Sequence, residues 1–487
     1  MRPIWLIGPL AVLAALACAP KEEASAKEPA KKIQVQGRSV TAIYDTNCGN
    51  CHGRRAEGGG GGTPSLLTLD KYHQKWDKPF FDAIKNGVKD MGMEPFGESM
   101  DDATVWAMVV HIRELQRDAL REETKPKATG GMYESGGIKY RIEEVVDTKQ
   151  GLRTPWSLDW LPDGRMLVSN RPGGISVLTG GKATGTINGL PPTVEMGQGG
   201  QMEVAVHPDY KKNGWVYLSF ADPKSNGAMT RLVRGKLKAN GGDFDWVSQQ
   251  DIWTAPDRQY VRSGVHFGCK IVFDGTGHIF FSTGERGSGE LAQDLTRTNG
   301  KIHRLNEDGS VPKDNPFVAR QGALGSIWSY GHRNPQGLAQ GLSGELVDTE
   351  HGPRGGDEMN VIDKGANYGW PKIAFSINYN DTVLTTAYPS ADQNFKMPAF
   401  RWLPSIGASG LAVVNSPKFK AWRGDFVAGG LAGGNLDRIR LKDGKMVSQE
   451  TILRDMGRVR DVRVGPDGAI YVVLNGADRI VRIVAQS

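Results

Sequence analysis

Two spacings of apolar residues divide the chain. Between residues 39 and 120 they recur at helical intervals, most clearly at Val105, Met108, Val109, Ile112 and Leu115, which fall on one face of a helix. Ser99 stands where it can cap that helix, and Asp101 and Asp102 suit its positive end. From about Ile138 onward the pattern changes to short β-branched and aromatic runs bounded by Gly, Asp, Asn or Pro. Four of these share a turn followed by an apolar strand. They are Pro162-Asp163-Gly164 before RMLVS, Pro208-Asp209 before GWVYLSF, Asp274-Gly275 before HIFFSTG, and Pro466-Asp467-Gly468 before AIYVVLN.

Repeated turn-and-strand units with almost no helical periodicity predict an all-β body over 138–487. A β-propeller suits the repetition, and at roughly 55 residues per blade the length suits six blades. A large β-sandwich or a β-helix is the alternative on pattern alone. The predicted architecture is therefore multidomain, a small all-α domain over 39–120 followed by an all-β six-bladed propeller. Two polar stretches carry little to bury. Residues 19–38 read as a flexible tether, and 121–137, with Lys125-Pro126-Lys127 and Gly130-Gly131, as a linker between domains.

Composition adds little to this picture except exclusions. The 487 residues include 64 glycines, which favours a turn-rich β body, and the formal charge of +6 is mild for the length. No run of five basic residues occurs, so no nucleic-acid partner is expected. Residues 1–17 combine Arg2, an apolar run from Ile4 to Leu16 and small residues before Cys18, which is the form of a signal peptide. Cys18 stands either where a lipidated cysteine would begin a membrane-tethered mature protein or beside plain cleavage. Both readings put the protein outside the cytoplasm, in the periplasm. With four cysteines in all, no disulfide framework is available.

Two of those cysteines carry chemistry. Cys48-Gly49-Asn50-Cys51-His52 is the attachment sequence of a covalent haem c. Its two thiols are spaced to add to the vinyl groups of one porphyrin, and His52 is placed to donate a ring nitrogen to the iron. A zinc site would need a second ligand pair, and none follows. The sixth iron ligand should be a thioether or a second imidazole. Met91, Met93, Met100 and His73 are the candidates. The segment around Met93 resembles the ligand loop of class I cytochromes c, except that Glu94 intervenes before Pro95, and Met93 is the choice made here.

Three runs in the β region place polar and charged residues among glycines, as a binding loop requires. They are Tyr330-Gly331-His332-Arg333-Asn334-Pro335-Gln336-Gly337, the EHGPRGGDE run from Glu350, and Asn367-Tyr368-Gly369-Trp370-Pro371. With TPWSLDWLPDGRMLVSNRPG, GQGGQMEVAVHPDY, GVHFGCKIVF and NGKIHRLNEDGSVPKDNPF, they make the chain from about Leu152 resemble the soluble glucose dehydrogenase and aldose sugar dehydrogenase family. That family's members are six-bladed propellers using pyrroloquinoline quinone (PQQ) and calcium.

The resemblance implies a site, position by position. His266 would be the general base toward the anomeric hydroxyl. Glu285 would orient it, where the family more often has Asp. Gln198, Arg333, Asn334, Arg458 and Arg460 would contact PQQ, whose three carboxylates call for fixed cations. Backbone carbonyls of Gly352 and Pro353 would hold calcium. Ala432 replaces a Lys that touches the cofactor in soluble glucose dehydrogenase. Cys269 reads as a packing residue on a buried strand. The expected function is oxidation of an aldose, or a related sugar alcohol or aldehyde, by PQQ. Electrons would pass to the chain's own haem and on to a periplasmic or respiratory acceptor. A non-enzymatic propeller attached to an electron-carrying cytochrome is the rival reading.

Overall fold

The computed structural model describes residues 39–384 and 394–486, so the leader, Cys18 and the tether lie outside the described residues. The N-terminal part is helical, with α1 (Val40–Asn47), α2 (Gly49–His52), α3 (Asp77–Asn86) and α4 (Asp102–Leu120). Ser39 starts α1 by accepting a hydrogen bond from the Ala42 amide. The start of α4 differs from expectation. Asp101 caps it, accepting from the Thr104 amide at 2.9 Å. Ser99 is still inside the preceding turn, where its amide and hydroxyl both donate to the Phe96 carbonyl. These helices enclose a core of Val40, Ile43, Tyr44, Phe80, Phe81, Ile84, Met100, Val105, Met108 and Val109, among others.

Beyond residue 130 the described chain is built of strands joined by loops, with only short helical turns. Within the stretch read as linker, Tyr133–Ser135 already forms an edge strand paired with Ile138–Tyr140. Five sheets follow, one of which is two four-stranded antiparallel groups joined by a short parallel pairing of Lys182–Asn188 with Asp243–Thr254. The innermost strands are Pro155–Trp160, Gln201–Val206, Ile271–Phe273, Pro335–Gln340, Ala408–Val413 and Arg458–Val464. Most of them touch the next, and the last returns to the first. Each turn-and-strand signature of the sequence forms the second strand of its group, as Met166–Asn170, Trp215–Lys224, His278–Thr283 and Ile470–Asn475. The arrangement is sewn together by strand Ile138–Val146, which pairs antiparallel with Arg479–Ala485. Apolar layers between neighbouring sheets supply the core, with Val168, Val473 and Ile480 in one and Val204, Leu218 and Val233 in another.

Candidate functional site

The predicted residues cluster because they sit at the entries and exits of inner strands. Gln198 precedes Gln201–Val206, Arg333 and Asn334 precede Pro335–Gln340, and Arg458 and Arg460 lie on Arg458–Val464. His266 and Glu285 flank the hairpin of Ile271–Phe273 and His278–Thr283, while Gly352 and Pro353 follow Leu346–Glu350.

His266 is held in an unusual backbone. It has φ +55°, Cys269 has +122° and Arg286 has +61°, so three non-glycine residues share a disfavoured conformation within one loop pair. Gly268 lies between them, and a Cβ there would meet Thr283 Cα at 2.7 Å, so the two loops touch backbone to backbone. Five interactions hold the loop. The His266 amide donates to Gln198 Oε1 at 2.9 Å, and the Gly268 amide to Asn334 Oδ1 at 3.2 Å. The buried Arg286 guanidinium lies 3.4 Å over the Phe267 ring and donates to the Ser263 and Val265 carbonyls. Burial in that position lowers its pKa to about 9. Cys269 is fully buried but precedes the strand rather than lying on it, and its sulfur accepts from Trp156 Nε1 at 3.3 Å.

His266 Nδ1 is hydrogen-bonded to Glu285 Oε1, which leaves Nε2 for proton transfer. The longer side chain of Glu therefore reaches the ring, because Asn299 and the Arg333 carbonyl hold its backbone at 3.0 and 2.9 Å. Burial lowers the His266 pKa, with the Glu285 contact opposing it and Arg333 adding to it. The imidazole is thus neutral at pH 7 and able to accept a proton.

Around this pair stand the guanidinium groups. Arg333 Nη1 donates to the His351 and Gly352 carbonyls at 3.2 and 2.8 Å, and its amide donates to Glu350 at 2.6 Å. Arg460 lies 4.0 Å over the Trp156 ring and donates to Gln336 Oε1 at 2.8 Å. Burial lowers its pKa to about 10, so it stays charged at pH 7, and Arg458 and Arg171 add positive field beside it. Arg458 is exposed, on an open cleft of about 540 Å³ that Ala432 also lines.

Several residues of this site were passed over in the sequence. His351 was quoted within a run but given no role. Its pKa is pushed well below the usual value by burial and then by Arg460, Arg333 and His266, which places it among all three. Trp156, Trp370 and Gln336 likewise stood in quoted runs without assignment. Behind Arg333 lies a buried trio of His332, Asp348 and Glu350. His332 Nδ1 is 3.1 Å from Glu350, and burial followed by Glu350 raises the Asp348 pKa well above the carboxylate range. No feature of spacing marks these as one cluster.

The orphaned atoms test what could bind. Arg333 Nε, His351 Nε2 and Glu285 Oε2 are buried without partners, with Arg333 and Arg460 the cations beside His351. A flat polyanionic molecule fits this donor set. A separate cavity of about 20 Å³ is bordered by Gly352, Pro353, Arg333, Glu350 and Glu358. It has room for one small ion, but Tyr368, Trp370, Ile373 and Ala374 also line it and the Gly352 carbonyl already accepts from Arg333, so few oxygens are left free to hold one.

In the helical part, Cys48 borders the same core cluster as Met93. Burial, then Cys51, pushes the Cys48 thiol up to about 12. His52 Nδ1 is buried without a partner, and burial lowers the imidazole pKa. Among the candidate sixth ligands, Met100 is buried in the core and Met91 is 69% exposed. His73 accepts from the Lys75 amide and lines a cavity between the helical and β parts. Met93 is half-buried, held by paired backbone bonds to Val88 of 2.9 and 3.1 Å. Two thiols one helical turn apart, an adjacent imidazole and a nearby thioether fit a haem.

Comparison with known proteins decides the family. The glucose/sorbosone dehydrogenase profile matches residues 152–482. The chain belongs to that family. Residues 35–112 match the profile of cbb3-type cytochrome c oxidase subunit III, so this glucose/sorbosone dehydrogenase homologue carries a cytochrome c domain at its N-terminal side. Among relatives of the dehydrogenase part is aldose sugar dehydrogenase YliI of Escherichia coli, 38% identical over 338 residues, 68% of this chain and 89% of that protein. The apo-form crystal structure of the soluble E. coli aldose sugar dehydrogenase superposes with TM-score 0.67 at 34% identity, covering 71% of this chain and all of that one. The PQQ-bound aldose sugar dehydrogenase of Streptomyces coelicolor gives TM-score 0.56 at 27% identity, covering 72% of this chain and all of that one.

Proposed function

We propose that the protein is a quinoprotein sugar dehydrogenase, exported to the periplasm, that oxidises an aldose to its lactone and delivers the electrons to its own haem c. In this reading the five four-stranded groups and the five-stranded closing sheet are the blades of a propeller, and PQQ would be held by Arg333, Asn334, Gln198, Arg458 and Arg460. The carbonyls of Gly352 and Pro353 hold calcium. PQQ held there would supply a two-electron acceptor, and calcium a Lewis acid beside it.

The chain's own residues do the rest. His266 Nε2 takes the proton of the anomeric hydroxyl, and Glu285 fixes the tautomer and stabilises the imidazolium that forms. Arg333 and Arg460 would neutralise the carboxylates of the cofactor. Ala432 leaves the open cleft without the cation that soluble glucose dehydrogenase has there, so Arg458 carries that side of the site.

The observation that carries the reading is the buried His266, hydrogen-bonded through Nδ1 to Glu285 and set near Arg333 and Arg286. The test is reconstitution with PQQ and calcium, followed by a panel of aldoses with dye reduction. Turnover dependent on PQQ is expected. No turnover with any aldose, with PQQ or without it, sinks the reading in favour of a binding propeller.

A further inference from the structure

The cytochrome domain does not hang free on its linker. Helix α4 lies along the loop that bears Gly352 and Pro353, and the next residue, Arg354, grips it with two 2.8 Å bonds to Glu114. The third arm of Arg354 reaches Asp381 at 2.9 Å, and the Asp381 carbonyl accepts the Val40 amide at the start of α1 at 2.6 Å. Beside the pair, a Cβ on Gly355 would stand 3.1 Å from Val110 Cγ1, so glycine lets α4 approach the loop's backbone. Ile377 is fully buried within the cytochrome core. At a second point, buried Asp77 is shared between Arg113 at 2.6 Å and Arg401 of the β region at 3.1 Å. The linker is pinned as well. Lys125 pairs with Asp455 at 3.0 Å, and Arg454 donates to Thr124 Oγ1 at 2.9 Å.

The seam continues into the haem-attachment segment. One turn before Glu114, His111 is buried with both ring nitrogens unpartnered, its ring 4.9 Å from Tyr44. The Tyr44 carbonyl accepts the Cys48 amide at 2.7 Å, and its hydroxyl donates to the Gly53 carbonyl at 3.2 Å, next to His52. Packed groups therefore run from Pro353 through Arg354, Glu114, His111 and Tyr44 to Cys48 and Gly53.

We propose that electrons leave the sugar-oxidising site across this seam. Arg354 and Glu114 are its positioning residues, holding α4 against the site loop so that haem reduction needs no domain movement. The inference rests on the function proposed above and names its route. Each aldose yields two electrons and two protons on becoming a lactone. Each crossing carries one electron and reduces one ferric haem to ferrous, and the two protons leave to water. An external one-electron oxidant returns the haem to ferric between crossings.

The test uses the full-length haem protein loaded with PQQ and calcium, mixed rapidly with an aldose while haem absorbance is followed, with ferricyanide as the oxidant in turnover. The variants are Glu114→Gln, Arg354→Gln and the exchanged pair Glu114→Arg with Arg354→Glu. Each single variant should slow haem reduction by about tenfold or more, while sugar-dependent reduction of a small dye is unchanged. The exchanged pair should recover most of the rate. The wild-type rate should not fall when glycerol raises the viscosity. In the chain without PQQ, hydrogen exchange of α4 should quicken in the single variants, a readout independent of turnover. Single variants that reduce haem at the wild-type rate, or a wild-type rate that falls with viscosity, would overturn the proposal. A wild type that reduces dye but never its haem defeats the intramolecular reading itself, and one that reduces neither defeats the proposed activity.

Discussion

At the scale of single residues, the proposed role of His266 as base rests on two features: burial lowers its pKa, and Glu285 holds Nδ1 and leaves Nε2 free. Replacing His266 with Gln should lower kcat by about 10²–10⁴-fold, leaving the haem spectrum intact; steady-state kinetics with dye reduction checks this. The direction of its pKa shift fixes a pH dependence. The base works only when neutral, so kcat/KM should hold down to pH values below about 6.5, the ordinary histidine value, and fall as pH drops through the lowered folded pKa. Glu285→Gln removes a contact that raises that pKa, so its acid limb should move to still lower pH while kcat drops. A limb moving to higher pH would contradict the assignment. Arg333 stands in a run of polar and charged residues among glycines that packing does not explain, whereas His266, Glu285 and Arg460 were named only through the resemblance to the dehydrogenase family. His351 stood in such a run too, but its place among Arg333, Arg460 and His266 depends on three different loops meeting. No local pattern encodes that meeting.

At the scale of elements, the apolar spacing that marks a helix or a strand was legible, and boundaries were less so. Ser99 and Asp101 are both good capping residues, and the choice between them turns on the Phe96 carbonyl, which holds residues 99 and 100 in the preceding turn. Asp101→Ala should therefore cost about 0.5–2 kcal/mol of cytochrome-domain stability, with Ser99→Ala near neutral, as read by denaturant unfolding of the full chain followed through the haem. The repeating turn-and-strand signature found the second strand of four groups and not the inner strands, because those are short, carry polar site residues and lack a shared turn. In the closing sheet, fully buried Ile483 pairs with Ile142 on one side and Ile470 on the other. Ile483→Ala should cost about 2–5 kcal/mol, seen as a lower denaturation midpoint of the β region.

At the scale of the whole molecule, the helical part and the β region meet at a seam where ion pairs flank apolar contacts, with Ile377 of the β region buried in the helical core. Chelation of calcium and removal of PQQ should abolish sugar-driven haem reduction, while dithionite still reduces the haem with an unchanged spectrum. Adding both back should restore the sugar-driven signal in an absorbance assay. The division into two parts could be read from the change in apolar spacing near residue 138. The seam could not, since Arg354 and Glu114 are 240 positions apart and Arg401 and Asp77 are 324. Charged residues so distant look like ordinary surface until the fold brings them together. The strand Ile138–Val146 carries a further consequence, for the order of assembly. Its partner on one side, Arg479–Ala485, is synthesised more than 300 residues later, so that edge of the strand stays open throughout synthesis and only the short Tyr133–Ser135 pairs with its other edge, whereas the helical core is largely local. The haem-attachment segment can be complete and ready for ligation while the sugar site is still open, and chains interrupted before residue 479 should be recognisable to a protease by that one open edge.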